Sequence, residues 1–392
     1  MWLSHLALVN FRNLAKLRLD VDSGVLVFRG QNGQGKTNLL ESIYVLATSR
    51  SPRTSVEREL LRWQASEDAD LAAVVPPFAR LEGSVRRVEG EVHLQLLFET
   101  STSDASSSVA RSIKVNGLPV RATGLVGQLP VVYFSPADVS LAGGPPAGRR
   151  QYLNLANSQA SADHLRALQR YNRVLLQRNH VLRQVRERKQ PASALEPWTE
   201  QMLHWGTQVL SQRLRMLREV DARAAPIFSD LAGAAASLRI TYHSTAGDRL
   251  EDVAELQAAF QERQRQVASR EIDQAVSLVG PHRDDFVFTL DGVDLNTYGS
   301  RGQQRLAVLA LKLAEADWMR DEIGDLPVIL LDDVLSELDP ERRQYVLQRV
   351  TYADGSAQRQ VWITATDVGG FSEEVLACAQ QYLIDAGHVR RA

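Results

Sequence analysis

The spacing of hydrophobic residues divides the chain into segments that favour strands and segments that favour helices. Glu91 to Phe98 alternates apolar and polar side chains, which is the period of a strand with one buried face. Val25 to Arg29 and Val131 to Phe134 are apolar runs with the length of strands. Asn38 to Ala47 has the amphipathic spacing of a helix. The pattern from Trp2 to about residue 130 therefore predicts strands with one helix among them.

A Gly/Pro cluster at Gly143 to Gly148 marks a boundary, after which the hydrophobic spacing becomes helical. Apolar residues recur in two stripes: Leu168, Leu175 and Leu182, and then Trp198, Met202, Trp205 and Val209. Two such stripes predict an antiparallel helical arm, too short for a long coiled coil. A strand is predicted for Leu238 to Tyr242 and a helix for Glu251 to Gln274.

Three further segments complete the prediction of local structure. Asn116-Gly117 is a strong signal for a hairpin turn, because both residues tolerate positive φ. The serine-rich stretch Ser101 to Ser108 is predicted to be a flexible loop. From about Ala275 to the end, the sequence is typical of a globular α/β domain.

The sequence GQNGQGKT, Gly30 to Thr37, lies between the predicted strand and the predicted helix. This is the P-loop pattern in its strand-loop-helix context, where backbone N–H groups at a helix start receive a phosphate chain. The three glycines permit a tight turn, Lys36 can reach the β/γ-phosphates, and the Thr37 hydroxyl can ligate Mg²⁺. ATP and Mg²⁺ are the predicted cofactors. The predicted nucleotide-binding residues of this segment are Gly30, Gln31, Asn32, Gly33, Gln34, Gly35, Lys36, Thr37 and Asn38.

A continuous apolar run from Pro327 ends in two carboxylates and predicts a central strand buried on both faces. Asp332 is expected to hold Mg²⁺ together with Thr37, and Asp333 is expected to orient or deprotonate the attacking water. An apolar run that ends in Asp-Asp is a weak signal alone, but together with a P-loop it predicts a Walker B motif. Ser336 to Asp339 then resembles the D-loop of ABC-type ATPases.

Between these motifs, Ser300, Gly302 and Gln303 precede a strongly helical segment. Ser-x-Gly-Gln before a helix resembles the ABC signature motif, in which a serine hydroxyl and a helix N-terminus face a γ-phosphate. The alternative is an ordinary N-capped helix, since Ser and Gly commonly precede helices. With a P-loop and a Walker B motif in the same chain, we favour the signature and predict that all three residues contact nucleotide. The predicted catalytic residues are Lys36, Ser300 and Asp333.

The composition is that of an ordinary soluble protein, with 392 residues, 44% hydrophobic and 23% charged. The single cysteine, Cys378, excludes an internal disulfide framework and a cysteine-based zinc site, and it fits a reducing compartment. The N-terminus lacks the pattern of a signal peptide, and no run is apolar and long enough to span a bilayer. We therefore expect a cytoplasmic protein without a membrane partner.

A net charge of −2 hides a strongly basic segment. Between Arg149 and Lys189 there are ten basic and two acidic residues, so this segment carries +8 and the rest of the chain −10. Such a segment fits a polyanion partner, because Lys and Arg contacts with phosphates supply most non-specific affinity. A solvated helix face explains the same feature equally well. The residues predicted to contact the phosphates of such a partner are Arg149, Arg150, Arg166, Arg170 and Arg173.

Several stretches are specific enough to compare with a family. They are FRNL from Phe11, GQNGQGKTNLLE from Gly30, SRSPRT from Ser49, YFSPADVSL from Tyr133, GPPAGRRQYLN from Gly144, YNRVLLQRN from Tyr171, GPHRDDF from Gly280 and TATD from Thr364. Together they resemble the RecF family of recombination mediator proteins, essentially from end to end. Asn154 departs from the family motif, which generally has Asp there. Thr366 stands where ABC transporters place a switch histidine.

The resemblance implies an α/β fold, an ABC/SMC-like P-loop ATPase head with an inserted α-helical arm. The implied head comprises residues 1–130 and 275–392, and the mostly helical arm comprises residues 131–274. The signature of such a head lies far from its own P-loop, so two ATP molecules are expected between the protomers of an ATP-dependent homodimer. Weak, DNA-stimulated hydrolysis is expected, because Asp333 is one methylene shorter than the glutamate of transport ATPases.

The implied function is ATP-dependent DNA binding in recombinational repair and replication restart. The family acts at single-stranded, gapped or junction DNA with RecR and RecO, helps to load RecA and supports the SOS response. Two other classes share these ATPase motifs. A transporter ATPase subunit should lack the arm and bind a membrane partner, and a Rad50-like nuclease-associated head should carry a far longer coiled coil. The short predicted arm argues against both.

Two candidate sites remain open between a structural and a functional interpretation. None of the eight histidines has close metal-ligand spacing, so His282 is predicted to be a structural or interdomain contact. Asp284 and Asp285 either interact with a metal or a neighbouring protomer, or cap a turn.

Overall fold

The computed structural model describes residues 1–62, 77–100, 109–233, 236–247, 253–353, 357–367, 369, 371 and 373–392. The predicted loop Ser101 to Ser108 and the predicted helix start at Glu251 lie outside these residues. The chain forms two compact units: unit 1 comprises Met1–Ala137 and Met319–Ala392, and unit 2 comprises Asp138–Trp318. The domain bounds at residues 130 and 274 stay a prediction.

The elements follow the chain in three groups. The first group is β1 (Trp2–Phe11), β2 (Leu14–Asp20), β3 (Val25–Arg29), α1 (Lys36–Thr48), β4 (Phe78–Arg87), β5 (Gly90–Thr100), β6 (Val109–Val115), β7 (Leu118–Pro119), α2 (Ala122–Leu125) and β8 (Val131–Phe134). The second is α3 (Ser140–Gly143), α4 (Pro146–Ala160), α5 (Ala162–Arg186), α6 (Glu196–Ala232), β9 (Leu238–His243), α7 (Val253–Gln274), β10 (Asp285–Leu290), β11 (Val293–Asp294), α8 (Leu295–Tyr298) and α9 (Arg301–Ile323). The third is β12 (Val328–Asp332), α10 (Pro340–Thr351), β13 (Tyr352–Ala353), β14 (Ala357–Gln358), β15 (Val361–Ala365), α11 (Glu373–Cys378), β16 (Gln380–Asp385) and β17 (His388–Arg391).

The core of unit 1 is a six-stranded sheet with the order β17-β16-β3-β15-β12-β8. Strands β16, β3, β15, β12 and β8 run parallel, and β17 returns antiparallel to β16. Every residue of β12 is buried, which explains its continuous apolar sequence. Because β3, β15 and β12 are parallel neighbours, their carboxyl ends meet at one edge of the sheet, where ligands of open α/β sheets usually bind.

A second sheet of unit 1 is antiparallel, with the order β2-β1-β4-β5-β6-β7. Its turn at Asn116-Gly117 has φ of 51° and 76°, the positive values of a type I′ turn, at the position where the hairpin turn was predicted. Helix α1 contacts strands of both sheets and is buried along nearly all of its length. The helix that follows the P-loop is thus fixed by packing from two sides.

Unit 2 combines long helices with a three-stranded antiparallel sheet in the order β11-β10-β9. The two predicted apolar stripes fall on α5 and α6, which pack against each other and against α7. Their shared core includes Tyr171, Met202, Val209 and Phe260. Among the described residues, no helix has the length and apolar character needed to cross a bilayer.

Candidate nucleotide-binding site

The loop between β3 and α1 has the backbone of a phosphate-binding turn. Gly33 and Gly35 have φ of 82° and 113°, values that side chains other than glycine rarely adopt. Gly30 is required for a different reason, since a Cβ there would lie 2.3 Å from the carbonyl oxygen of Ile384 in β16. Part of the glycine pattern therefore serves packing within the sheet as well as the approach of phosphate.

Lys36 begins helix α1 and is buried. Its ammonium group donates to the carbonyl oxygens of Gly30 at 2.6 Å and Gln31 at 3.1 Å. Burial lowers the pKa of Lys36, while the nearby carboxylates of Asp333 and Asp332 act in the opposite direction. The lysine is thus held at the mouth of the loop by two uncharged carbonyl acceptors, which a negatively charged phosphate can replace.

Asp332 ends strand β12 and connects the P-loop with two neighbouring strands. Its Oδ1 accepts from the Thr37 hydroxyl at 3.0 Å and from the Thr364 hydroxyl at 2.9 Å. Its Oδ2 accepts from the Tyr133 hydroxyl at 2.9 Å. Burial raises the pKa of Asp332, and the three hydroxyl donors work against that shift. The structure therefore brings the two predicted metal ligands, Thr37 and Asp332, into direct contact.

Asp333 follows β12 in a left-handed conformation, with φ of 53°. Its backbone N–H donates to the Thr364 hydroxyl at 3.0 Å. Its Oδ1 is buried and has no hydrogen-bond partner among the described residues. A buried carboxylate oxygen without a partner is costly, so the geometry fits a group that arrives with a ligand, such as a water molecule.

These residues suit a Mg²⁺ ion that is bound together with a nucleotide better than a metal ion that is held by protein ligands alone. Within the part of the chain that the structure describes, no group of three or more His, Cys, Asp or Glu could hold a metal ion. Mg²⁺ commonly takes one or two carboxylates, several waters and the phosphates of its substrate. Thr37 and Asp332 supply that limited set beside the phosphate-binding turn.

The predicted signature segment lies in unit 2, at the start of α9. The Ser300 hydroxyl accepts from the Gln303 N–H at 3.2 Å, and the Ser300 N–H donates to the Gln303 side chain at 2.9 Å. This capping box is the ordinary structural role that the sequence left open. Ser300, Gly302 and Gln303 are nevertheless exposed, and the first helical turn contains no acidic residue. The segment is therefore accessible to an anion.

The comparisons with known proteins agree on one family. The family model described as RecF/RecN/SMC N terminal domain matches residues 2–381. DNA replication and repair protein RecF of Chloroflexus aurantiacus is 40% identical over 99% of both chains, and that of Bacillus subtilis is 36% identical over 99% of both. The chain belongs to the RecF family. The predicted family is thereby confirmed.

Solved structures extend the RecF relationship to the fold. The recombination mediator protein RecF with ATP, in the RecFOR pathway, is similar with a TM-score of 0.86 and 28% identity, over 100% of this chain and 97% of that one. An Smc head bound to the C-winged helix domain of ScpA has a TM-score of 0.53 at 13% identity, over 100% and 97% of the two chains, and shares the fold alone. The predicted α/β ABC/SMC-like head with a helical insertion is confirmed.

A hydrogen-bonded network around the P-loop was missed by sequence reasoning. Asn38, predicted to contact nucleotide, donates to Asn13 at 2.8 Å, and Asn13 donates to the Gln34 carbonyl at 3.1 Å. Arg53 donates to Asn38 at 2.8 Å and pairs with the buried Glu41. The only available signal was that Asn13 and Arg53 lie in stretches that resemble RecF proteins.

Within unit 2, the side chains of the GPHRDDF block make contacts that favour a structural role. Asp284 accepts from the Thr245 N–H and hydroxyl, both at 2.7 Å, and from Tyr242 at 2.9 Å. His282 contacts the Tyr171 hydroxyl and the Ser277 carbonyl oxygen, and burial lowers its pKa to about 4. These contacts support the structural interpretation of both residues.

The structure corrects one predicted DNA contact. The Arg149 guanidinium is buried and donates to Asp285 through two bonds, of 2.7 and 2.8 Å, so it is not presented to a DNA phosphate. Arg150 is half-buried and donates to the Asp284 carbonyl at 3.1 Å. Asp285 thus serves as the counter-ion of Arg149 rather than as part of a metal site.

The other predicted DNA contacts lie on the surface of α5. Arg166, Arg170 and Arg173 are exposed on one helical face. Arg166 pairs with Asp163, and the Arg170 guanidinium lies 5.9 Å from the centre of the Trp205 ring. An exposed ion pair with one acid is weak, so these arginines remain available to phosphates.

The two departures from the family pattern have different surroundings. Asn154 accepts from Arg213, which also donates to the Pro281 carbonyl at 2.7 Å. The amide thus occupies the place of a counter-ion without its charge. Thr366 follows β15 and is half-buried.

Proposed function

We propose that this protein binds ATP and DNA as a recombination mediator of the RecF type, in DNA replication and repair. One observation carries the proposal: the P-loop and the Walker B aspartate meet through the Thr37–Asp332 hydrogen bond, in a chain that belongs to the RecF family over its full length. The two alternative classes have no comparable support. A transporter ATPase subunit would need a membrane partner, and a Rad50-like head would need a far longer coiled coil; the nucleotide site provides evidence for neither.

ATP binding begins with an exchange of partners at Lys36. The ammonium group leaves the Gly30 and Gln31 carbonyls for the β- and γ-phosphates, and the N–H groups at the start of α1 receive the same phosphates. Thr37 and Asp332 would hold Mg²⁺, which would neutralise phosphate charge when bound. Asp333 orients the attacking water with a carboxylate oxygen that has no other partner among the described residues.

A second copy of the chain completes each site. The exposed Ser300 hydroxyl and the N-terminal turn of α9 face the γ-phosphate bound by the partner protomer, so ATP joins two protomers. The basic face of α5 then contacts DNA phosphates at single-stranded or gapped DNA. RecR, with RecO, is the proposed protein partner, and loading of RecA and induction of the SOS response follow in the cytoplasm.

Sedimentation velocity with and without ATP tests the shared site. We expect a dimer in ATP and a monomer without it, and we expect both Lys36→Met and Ser300→Arg to remain monomeric in ATP. Ser237→Arg is a matched control, because Ser237 lies outside both motifs in the same unit as Ser300. Dimerisation of Ser300→Arg in ATP would refute the shared site, whereas failure of Lys36→Met to bind ATP is expected from the P-loop alone.

DNA binding is tested by titration of single-stranded, duplex and gapped DNA, with and without ATP. We expect tighter binding in ATP, because a dimer presents two basic faces. Affinity that is equal with and without ATP on all three substrates would contradict the ATP-dependent part of the proposal.

A further inference from the structure

Thr364 lies near the end of β15, opposite Asp332 in the register of the parallel pair, and it is fully enclosed. Its hydroxyl is 2.9 Å from Asp332 Oδ1 and 3.0 Å from the backbone nitrogen of Asp333. A single side chain therefore contacts both Walker B aspartates. Sequence reasoning assigned no role to this residue.

The direction of the two bonds follows from the chemistry of the donors. A threonine hydroxyl donates one hydrogen bond and accepts up to two. The Asp333 N–H can only donate, so the Thr364 oxygen accepts that bond. The hydroxyl proton is left for Asp332 Oδ1, which is nearer than the alternative acceptor, the Leu331 carbonyl at 3.4 Å. The two bonds are thus made simultaneously by one oxygen.

The backbone conformation of Asp333 depends on the hydrogen bond from its N–H to the Thr364 hydroxyl. Its φ of 53° is disfavoured for a residue with a side chain. Strand β12 ends at Asp332, so the Asp333 N–H falls outside the pairing of β12 with β15. The bond to Thr364 satisfies that N–H and fixes the backbone conformation from which the carboxylate projects.

We propose that Thr364 is a positioning residue of the nucleotide site: its hydroxyl orients the metal-binding carboxylate of Asp332 and at the same time holds the backbone of Asp333. Tyr133 supports Asp332 from strand β8, on the other side of β12, through the bond to Oδ2. This inference rests on the proposed function, because it assigns a role within the same ATP site.

Two substitutions at Thr364 distinguish the effect of its hydroxyl from the effect of its side-chain shape. Thr364→Val removes both bonds, and Thr364→Ser keeps the hydroxyl. Thr207→Val is the matched control, because Thr207 is a buried threonine of α6 in unit 2 that donates to the Leu203 carbonyl. The first readout is the affinity for a fluorescent ATP analogue, measured with Mg²⁺ and with EDTA. The second is the single-turnover rate of ATP hydrolysis.

We expect Thr364→Val to reduce the Mg²⁺-dependent gain in nucleotide affinity by about 10- to 100-fold, the usual effect of losing a residue that orients a metal ligand. Affinity in EDTA should change little, because the P-loop contacts remain. Hydrolysis should slow by a similar factor, and Thr364→Ser should restore both quantities. Tyr133→Phe should reduce the Mg²⁺-dependent gain with a smaller effect on hydrolysis, since the hydroxyl that it removes donates to the metal-binding Asp332.

The outcomes distinguish this inference from the function on which it rests. If the native chain binds no ATP analogue, the proposed function and this inference both fail. If the native chain binds it and Thr364→Val keeps the same Mg²⁺ dependence and hydrolysis rate, only the positioning role fails. Equal effects of Thr364→Val and Thr364→Ser would also overturn it. Should Thr364→Val fail to fold, Thr364→Ala carries the same comparison.

Discussion

Replacing Glu271 with Gln should lower the free energy of unfolding of unit 2 by about 3–5 kcal/mol, the usual effect of removing one partner of a buried ion pair. The Arg178 and Glu271 side chains are 1% and 0% exposed, and the guanidinium donates to the carboxylate at 2.6 Å. In Glu271→Gln, Arg178 keeps its bonds to Ser277 at 2.7 Å and Thr199 at 3.0 Å. The buried guanidinium charge of Arg178, however, then lacks the carboxylate whose attraction offsets the cost of removing that charge from water.

A double variant separates the ion pair from the rest of the core. Arg178→Met combined with Glu271→Leu removes both charges, and a buried pair replaced by apolar residues often changes stability little. We therefore expect the double variant to be more stable than Arg178→Met alone or Glu271→Leu alone, with a coupling energy of at least about 2 kcal/mol. Glu219→Gln is the control, because its pairs with Arg215 and Arg223 on α6 are partly exposed to solvent and should each contribute less than about 1 kcal/mol.

Hydrogen exchange of the amides in α5, α6 and α7, followed by mass spectrometry, measures this free energy within unit 2 itself. The midpoint of a denaturation curve would instead report on the whole chain, in which the two units need not unfold together. If Glu271→Gln changes exchange no more than Glu219→Gln does, the buried charge of Arg178 does not depend on the Glu271 carboxylate, and the reasoning is refuted. If the two single effects simply add in the double variant, the residues do not act as a pair.

Three further outcomes test the sites directly. Asp333→Asn should slow single-turnover ATP hydrolysis with saturating DNA by about 100-fold, and an unchanged rate would assign the base elsewhere. Burial lowers the pKa of His282 from 6.5 to about 4, so the unfolded chain binds more protons between these values. The contribution of His282 to the stability of unit 2 should therefore fall by about 2 kcal/mol from pH 7 to pH 5. Hydrogen exchange of unit 2 at the two pH values should show a loss of stability that is smaller by this amount in His282→Asn. Reversing the charges of Arg166, Arg170 and Arg173 should weaken DNA binding and reduce its salt slope by about one unit per lost contact; an unchanged slope would place the DNA surface elsewhere.

The motifs of the nucleotide site could be predicted because their signals are local. The P-loop is eight consecutive residues between a strand and a helix, and the Walker B aspartates follow a strand whose burial is visible in its continuous apolar sequence. The contacts of Asp332 could not be predicted in the same way. Tyr133 is 199 positions away from it, and the bond depends on β8 pairing beside β12 in one register. A hydrogen bond across two strands has no signature in either segment alone.

The conformation of Asp333 shows a second limit of sequence reasoning. Left-handed φ is uncommon outside Gly, and although Asn and Asp adopt it more often than most residues, the pair Asp-Asp after a strand does not specify which residue adopts it. It arises because the strand ends at Asp332 while the neighbouring strand presents a hydroxyl at the next N–H. The role of Asp333 could therefore be predicted from its position in the Walker B motif. The backbone conformation that supports this role could not, because it depends on the pairing of β12 with β15.

The basic segment illustrates why a count of charges is a weaker guide than a motif. Its excess of +8 includes Arg149 and Arg178, which pair with Asp285 and Glu271, acids that lie outside the segment in the sequence. Two of its ten cations are thus neutralised within unit 2 and stabilise the fold rather than attract DNA. The excess that remains is carried by exposed residues such as Arg173 on α5. A DNA surface on this helix therefore depends on which face each arginine occupies, and the Glu271→Gln and arginine-reversal variants should accordingly affect different properties, the first stability and the second salt-dependent binding.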